Sequence, residues 1–165
     1  MPVILPIALA LIGATSAATL PSACSVLTKA EAQAYLGAPI SRVMPEEPEP
    51  DAETGSIHTT CTFLGTGRAL VISIDEFKST DAAQKKMTAE YLKGQDTDDH
   101  GGSAPTIEPE SGLGDRAFYG QSEHAAMILM LKGAHAYGAI LGGAPPKPAD
   151  HAALRKLVTA LAAKV

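Results

Sequence analysis

Chemistry in this chain has few places to reside. Its nucleophiles, bases and metal ligands reduce to two cysteines, Cys24 and Cys61, five histidines and a handful of carboxylates. The histidines, His58, His100, His124, His135 and His151, form neither an H-E-x-x-H pair nor any other close pair, so their spacing supports no zinc site. Asp96, Asp98, His100 and Gly101 open like a calcium loop. Ile107, however, stands where that loop needs a bidentate Glu, which points to a solvated loop and no metal. Gly112-Leu113-Gly114-Asp115-Arg116-Ala117 spells G-x-G-x-x-A. A dinucleotide fingerprint requires a strand before it and a helix after it. Here a Pro/Glu segment precedes and an aromatic extended segment follows, so the motif reads as a glycine turn and no nucleotide cofactor is expected. No G-x-S-x-G is present, and Ser73 simply alternates along an apolar run. Asp75 and His124 are what remains for a general acid or base, each without an identifiable partner.

These residues must be positioned by a chain of 165 residues with 45% hydrophobic content, enough for one packed domain. The net charge of −5, four Tyr, three Phe and no Trp exclude the basic, aromatic-studded surface of a nucleic-acid binder. The first charged residue is Lys29. Ahead of it, residues 3–13 (VILPIALALIG) and the small residues after them form the apolar and cleavage regions of a signal peptide, assigned to residues 1–19 with cleavage near 17–23. That run is too short for a membrane span, which needs about 20 residues. The reading is an exported protein, periplasmic or extracellular, with residues 20–165 as one domain. In an oxidising compartment an even cysteine count reads as a Cys24–Cys61 disulfide. The alternative is lipidation of Cys24, because Leu20-Pro21-Ser22-Ala23-Cys24 is similar to a lipobox.

Thr28 and Glu31 form a capping box for a helix that runs through Leu36 to Gly37. A short extended piece follows at residues 40–43. Residues 44–56, rich in Glu and Pro, predict a mobile surface loop. Residues 57–64 and 69–77 alternate about a Gly-Thr-Gly-Arg turn and predict a hairpin. A second helix spans residues 81–93, with Ala83 and Met87 inward. Further extended pieces lie at 106–109, 117–120, 124–131 and 134–141. The third of these is apolar on both faces, as in a central strand covered on both sides. Mirroring about Lys132-Gly133 sets His135 opposite residues 128–130, away from His124. A last helix from Asp150 carries an inner stripe of Leu154, Leu157, Val158, Leu161 and Val165. The expectation is an α+β fold, an antiparallel sheet of about five or six strands packed with three helices in the order α-β-β-β-α-β-β-β-α.

The ordered motifs Cys24-Ser25-Val26-Leu27-Thr28, Leu36-Gly37, Cys61-Thr62-Phe63 and Gly112-Leu113-Gly114-Asp115 resemble a pattern of small exported bacterial proteins and lipoproteins classed as domains of unknown function. Some of these are similar to PsbP-like α/β sandwiches. The resemblance implies such a fold and an envelope location, and it brings no catalytic residues with it. The leading functional expectation is a non-enzymatic binding or accessory domain for a protein, envelope component or small ligand, engaged through the sheet face or loops. The candidate surface is the turn carrying Gly112, Gly114, Asp115, Phe118 and Tyr119. Two alternatives stand beside it. One is a periplasmic hydrolase or metal-dependent enzyme using Asp75 or His124; the other is a lipid-anchored envelope accessory protein.

Overall fold

A computed structural model of the chain describes residues 20–52, 54–96 and 106–165. The signal peptide assigned to 1–19 and the loop residues Asp98, His100 and Gly101 lie outside them. The helices are α1 (Ala23–Val26), α2 (Lys29–Leu36), α3 (Thr80–Asp96) and α4 (Pro148–Lys164). The strands are β1 (Ile40–Pro50), β2 (Ile57–Gly65), β3 (Ala69–Glu76), β4 (Thr106–Glu110), β5 (Arg116–Gln121), β6 (Ala125–Lys132) and β7 (His135–Gly142). They form a single antiparallel sheet in the order β1-β2-β3-β7-β6-β5-β4. Two meanders, β1-β2-β3 and β4-β5-β6-β7, therefore meet at the β3–β7 seam.

The α+β class agrees with the sequence, but seven strands and four helices replace the expected five or six and three. The acidic, proline-rich segment is no loop up to Pro50: it continues β1 along the sheet edge. Only one side of an edge strand is hydrogen-bonded, so Pro45, Pro48 and Pro50 are tolerated there. The register slips between Glu46 and Glu49, a bulge that absorbs part of the mismatch. The opposite edge, β4, likewise contains Pro109. The additional helix, α1, is a single turn, too short for any periodicity to reveal.

One face of the sheet is closed by α1, α2 and α4. Phe63, Leu70, Ile72, Ile74, Ile128, Tyr137 and Leu141 pack there against Leu36, Leu154, Leu157, Val158 and Leu161. Val165, predicted inward, is 40% exposed beyond the helix end. Ten of the twelve largest fully buried side chains belong to this cluster, so most of the burial energy, about 1.5–3 kcal/mol per such side chain, is on the α4 side. Among the described residues the other face is covered only in part. Ala83 and Met87 of α3 pack on Phe77, Phe118, Leu131 and Ala136.

The start of α2 is tied as the sequence required, whereas α4 begins at Pro148, ahead of the expected Asp150, which lies in its first turn and accepts from the Lys147 N–H at 2.8 Å. Thr28 accepts a hydrogen bond from the Glu31 N–H at 3.2 Å, and Glu31 accepts one from the Thr28 N–H at 2.8 Å. Lys164, at the far end of α4, reaches Glu31 at 2.8 Å. That contact, followed by the Thr28 N–H and hydroxyl, lowers the Glu31 carboxyl to a pKa of about 2. Cys24 and Cys61 are bridged, which fastens α1 to β2 with Cα atoms 5.0 Å apart. The Ala23 N–H adds a hydrogen bond to the Thr59 hydroxyl at 3.1 Å.

Candidate functional site

On the second sheet face, among the described residues, a cleft of about 370 Å³ lies between Lys86 of α3 and strands β2, β3, β7 and β6. Cross-strand register builds its floor. Val71 stands opposite Ile140, and Ile140 opposite Met127. In the next row Ser73 faces Gly138, which faces Leu129. Val71, Met127 and Leu129 are half-buried, and Ile140 is 37% exposed. The two-faced apolarity of β6 thus has a different cause from the one its sequence suggested. Ala126, Ile128 and Met130 are buried in the closed face and Leu131 lies under α3, but Met127 and Leu129 form cleft floor.

Glycine lowers this floor. A Cβ at position 138 would run into the Ser73 hydroxyl, and one at position 120 would stand 2.8 Å from the Met127 side chain. Glycine inside a strand marks such close approaches. The Ser73 side chain accordingly leans over β7.

At the other end the cleft is polar. His58 on β2 is paired in register with Asp75 on β3, and His58 Nδ1 lies 2.7 Å from Asp75 Oδ1. Asp51 and Lys86 complete this end, and both are engaged in further interactions. Burial pushes the Asp75 carboxyl above its usual range, and the neighbouring Asp51 charge adds to this. The His58 hydrogen bond, the His58 charge and Lys86 oppose the rise without cancelling it. With Asp75 ionised, His58 donates through Nδ1 and keeps Nε2 as an acceptor.

The raised carboxyl has a consequence for stability. The folded protein holds the Asp75 proton more tightly than the unfolded chain, so this residue's contribution declines as pH rises from 3.8 through the raised value. Asp75→Asn should remove that decline. The variant is expected to equal or exceed the parent in urea unfolding at about pH 7, with the difference closing near pH 3. A variant less stable at neutral pH would refute this.

Ser73 leans toward β7, whereas His58 lies on β2, across the opposite side of β3. Among the described residues no hydrogen bond joins the two. The strand N–H groups beside them belong to the sheet ladders. Among the described residues, no three His, Cys, Asp or Glu side chains gather as metal ligands.

The residues singled out from the sequence are distributed elsewhere. Gly112 and Gly114 adopt left-handed φ values of 68° and 58° in the turn before β5. The Asp115 N–H donates to Leu131 O at 2.7 Å, and its carboxylate accepts from the Gly133 N–H at 2.6 Å, latching that turn to the β6–β7 hairpin. A second depression, of about 330 Å³, lies beside Gly112, Gly114 and Asp115 against Lys132 and Thr159. Phe118 and Tyr119 point to opposite faces. Phe118 is buried beneath α3 with Arg116 5.0 Å above its ring, and Tyr119 packs 4.3 Å from the His151 ring on the α4 side. His124 is 71% exposed beside Glu123, and His151 bonds Glu110 at 2.7 Å. His135 pairs with Lys132, not with residues 128–130, because the hairpin turns tightly on Gly133 and Ala134.

Sequence reasoning missed His58 as the partner of Asp75. The signal was present: mirroring the first hairpin about residues 66 and 67 sets the two opposite each other.

No protein-family model matches the chain, and no curated protein matches it. Among solved structures it is similar to the extracellular domain of PknH from Mycobacterium tuberculosis. The TM-score is 0.56 at 12% identity, over 84% of this chain and 94% of that one, a likeness of fold. Among the described residues no helix is long and apolar enough to cross a membrane.

Proposed function

We propose that this protein is an exported, non-enzymatic binding domain that holds a small amphipathic ligand in the cleft between α3 and the open sheet face. The observation that carries this reading is the cleft itself: an apolar floor, deepened by glycine, with one polar end. Pockets of this kind, about 300–1,000 Å³ and mostly apolar with a few placed polar groups, are the usual form of a small-molecule site. The burial energy sits on the opposite face, which leaves this one free to remain open. Export is supported by the apolar leader and by the disulfide, which suits an oxidising compartment. The fold neighbour is itself an extracellular domain.

The test uses a neutral apolar dye, Nile red. The parent protein should bind it with enhanced fluorescence. Ile140→Lys, at a floor position exposed enough to accept a charge, should weaken binding by about tenfold or more, the equivalent of losing about 1.5 kcal/mol of apolar contact. Equal binding by both proteins, or none by the parent, would overturn the reading.

A further inference from the structure

We propose that the ligand of this cleft is an amphipathic cation, with its apolar body on Val71, Met127, Leu129 and Ile140 and an ammonium-type head on the Asp75 carboxylate. This rests on the cleft being a ligand site and adds the chemical class of its occupant.

The argument is an inventory of donors and acceptors. The apolar floor side chains Val71, Met127, Leu129 and Ile140 offer neither, the Ser73 hydroxyl offers one of each and so selects neither kind of head, and the strand N–H groups beneath them are spent in the ladders. At the polar end, among the described residues, Asp51 and Asp75 bring two carboxylates against one ammonium, that of Lys86. Lys86 and Asp51 take part in further interactions, and Asp51 Oδ1 accepts from the Thr54 N–H at 3.2 Å. Asp75 has acceptor capacity to spare. The hydrogen bond it accepts from the described residues is the one from His58 at Oδ1, whereas an ionised carboxylate has about four acceptor sites. His58 Nε2, the ring nitrogen turned away from that bond, is a further acceptor when the imidazole is neutral. Among the described residues the acceptors of Asp75 and His58 thus dominate the open valences at this end, which favours an occupant that brings donors.

Charge selects among donor heads. A partly desolvated carboxylate gains more from a cation than from a neutral hydroxyl, because attraction strengthens as water is excluded. An anionic head would meet two carboxylates in a protein whose net charge is −5. The upward push on the Asp75 carboxyl agrees with this, since it marks an ionised group short of compensation.

The experiment compares three probes of equal tail length, octylammonium, octanol and octanoate, by isothermal titration calorimetry on the disulfide-intact protein near neutral pH. Octylammonium is expected to bind about tenfold or more tightly than octanol, with octanoate weakest. Asp75→Asn should erase that preference, and Asp75→Glu should retain much of it; circular dichroism verifies that each variant is folded. Octanol or octanoate binding as tightly as the amine would refute the cationic head while leaving the cleft as a binding site. Amine preference that survives Asp75→Asn would also refute it, by showing a general attraction to an acidic surface. Failure of all three probes would overturn the inference, and the cleft reading would then stand or fall on Nile red.

Discussion

Asp150→Ala is expected to lower the free energy of unfolding by about 3–5 kcal/mol, the largest effect of any single polar substitution in this protein. Asp150 accepts hydrogen bonds from both terminal nitrogens of Arg68, at 2.6 and 3.4 Å, and the two side chains are only 7% and 11% exposed. The pair joins the β2–β3 turn to the first turn of α4. An arginine side chain stays charged in a protein, and the buried Arg68 Nε has no partner among the described residues even in the intact protein. Removing the carboxylate would strand a cation in the interior. The same carboxylate accepts from the Lys147 N–H at 2.8 Å, so the start of α4 would be loosened as well. Burial raises the Asp150 carboxyl, but Arg68 and the Lys147 N–H outweigh it and leave the pKa below the usual value. The stabilisation is thus fully present above 3.8 and fades as pH falls through the lowered value. Urea unfolding of parent and variant should show the deficit near neutral pH and its shrinkage in acid. A deficit below about 1 kcal/mol would place the pair among ordinary surface contacts.

Replacing Cys24 and Cys61 together by Ala is expected to cost about 4 kcal/mol at most, from the closure of a 37-residue separation in the unfolded chain. For a domain of this size that amounts to a fall of roughly 10 °C in melting temperature. α1 would keep the Ala23–Thr59 and Lys164–Val26 hydrogen bonds and the burial of Ala23 and Val26, but it is a single helical turn, so its end of the molecule should fray first. Melting with and without a phosphine reductant gives the same comparison without mutation. Intact mass supplies an independent check. A bridge removes two hydrogens, whereas acylation of Cys24 adds a fatty chain, and one sulfur cannot carry both. Identical melting curves in the two redox states would mean that the bridge contributes nothing.

Local chemistry was the legible part of this sequence. The Thr28–Glu31 box, the Gly37 stop, the Cys24–Cys61 bridge and the inner stripe of α4 from Leu154 to Leu161 each follow from neighbouring or paired residue types, and each occurs in the fold, with Val165 alone falling outside the stripe. The outer half of β1 was hidden because composition reports how a segment suits a core, and an edge strand scarcely needs one. β6 was ambiguous for a physical reason. A run apolar on both faces can be covered twice, or covered once and left as the floor of a cleft, and only the reach of α3 across the sheet decides between them. The His58–Asp75 pair was hidden in a different way. It depends on hairpin register, and a register displaced by one residue would send the two side chains to different environments. The turn at Gly112 and Gly114 was recognised as a turn, but the opposite facing of Phe118 and Tyr119 follows from strand alternation alone.

The β3–β7 seam couples this cleft to the history of the chain. Each meander can assemble from strands adjacent in sequence, but the seam unites Ser73 with Gly138 and Val71 with Ile140 across most of the domain, at a substantial loop-closure cost. The floor draws on both sides of that junction. Neither half of the protein possesses the cleft before they join, so occupancy reports the finished molecule, and any occupant holds the two halves together in proportion to the logarithm of its concentration.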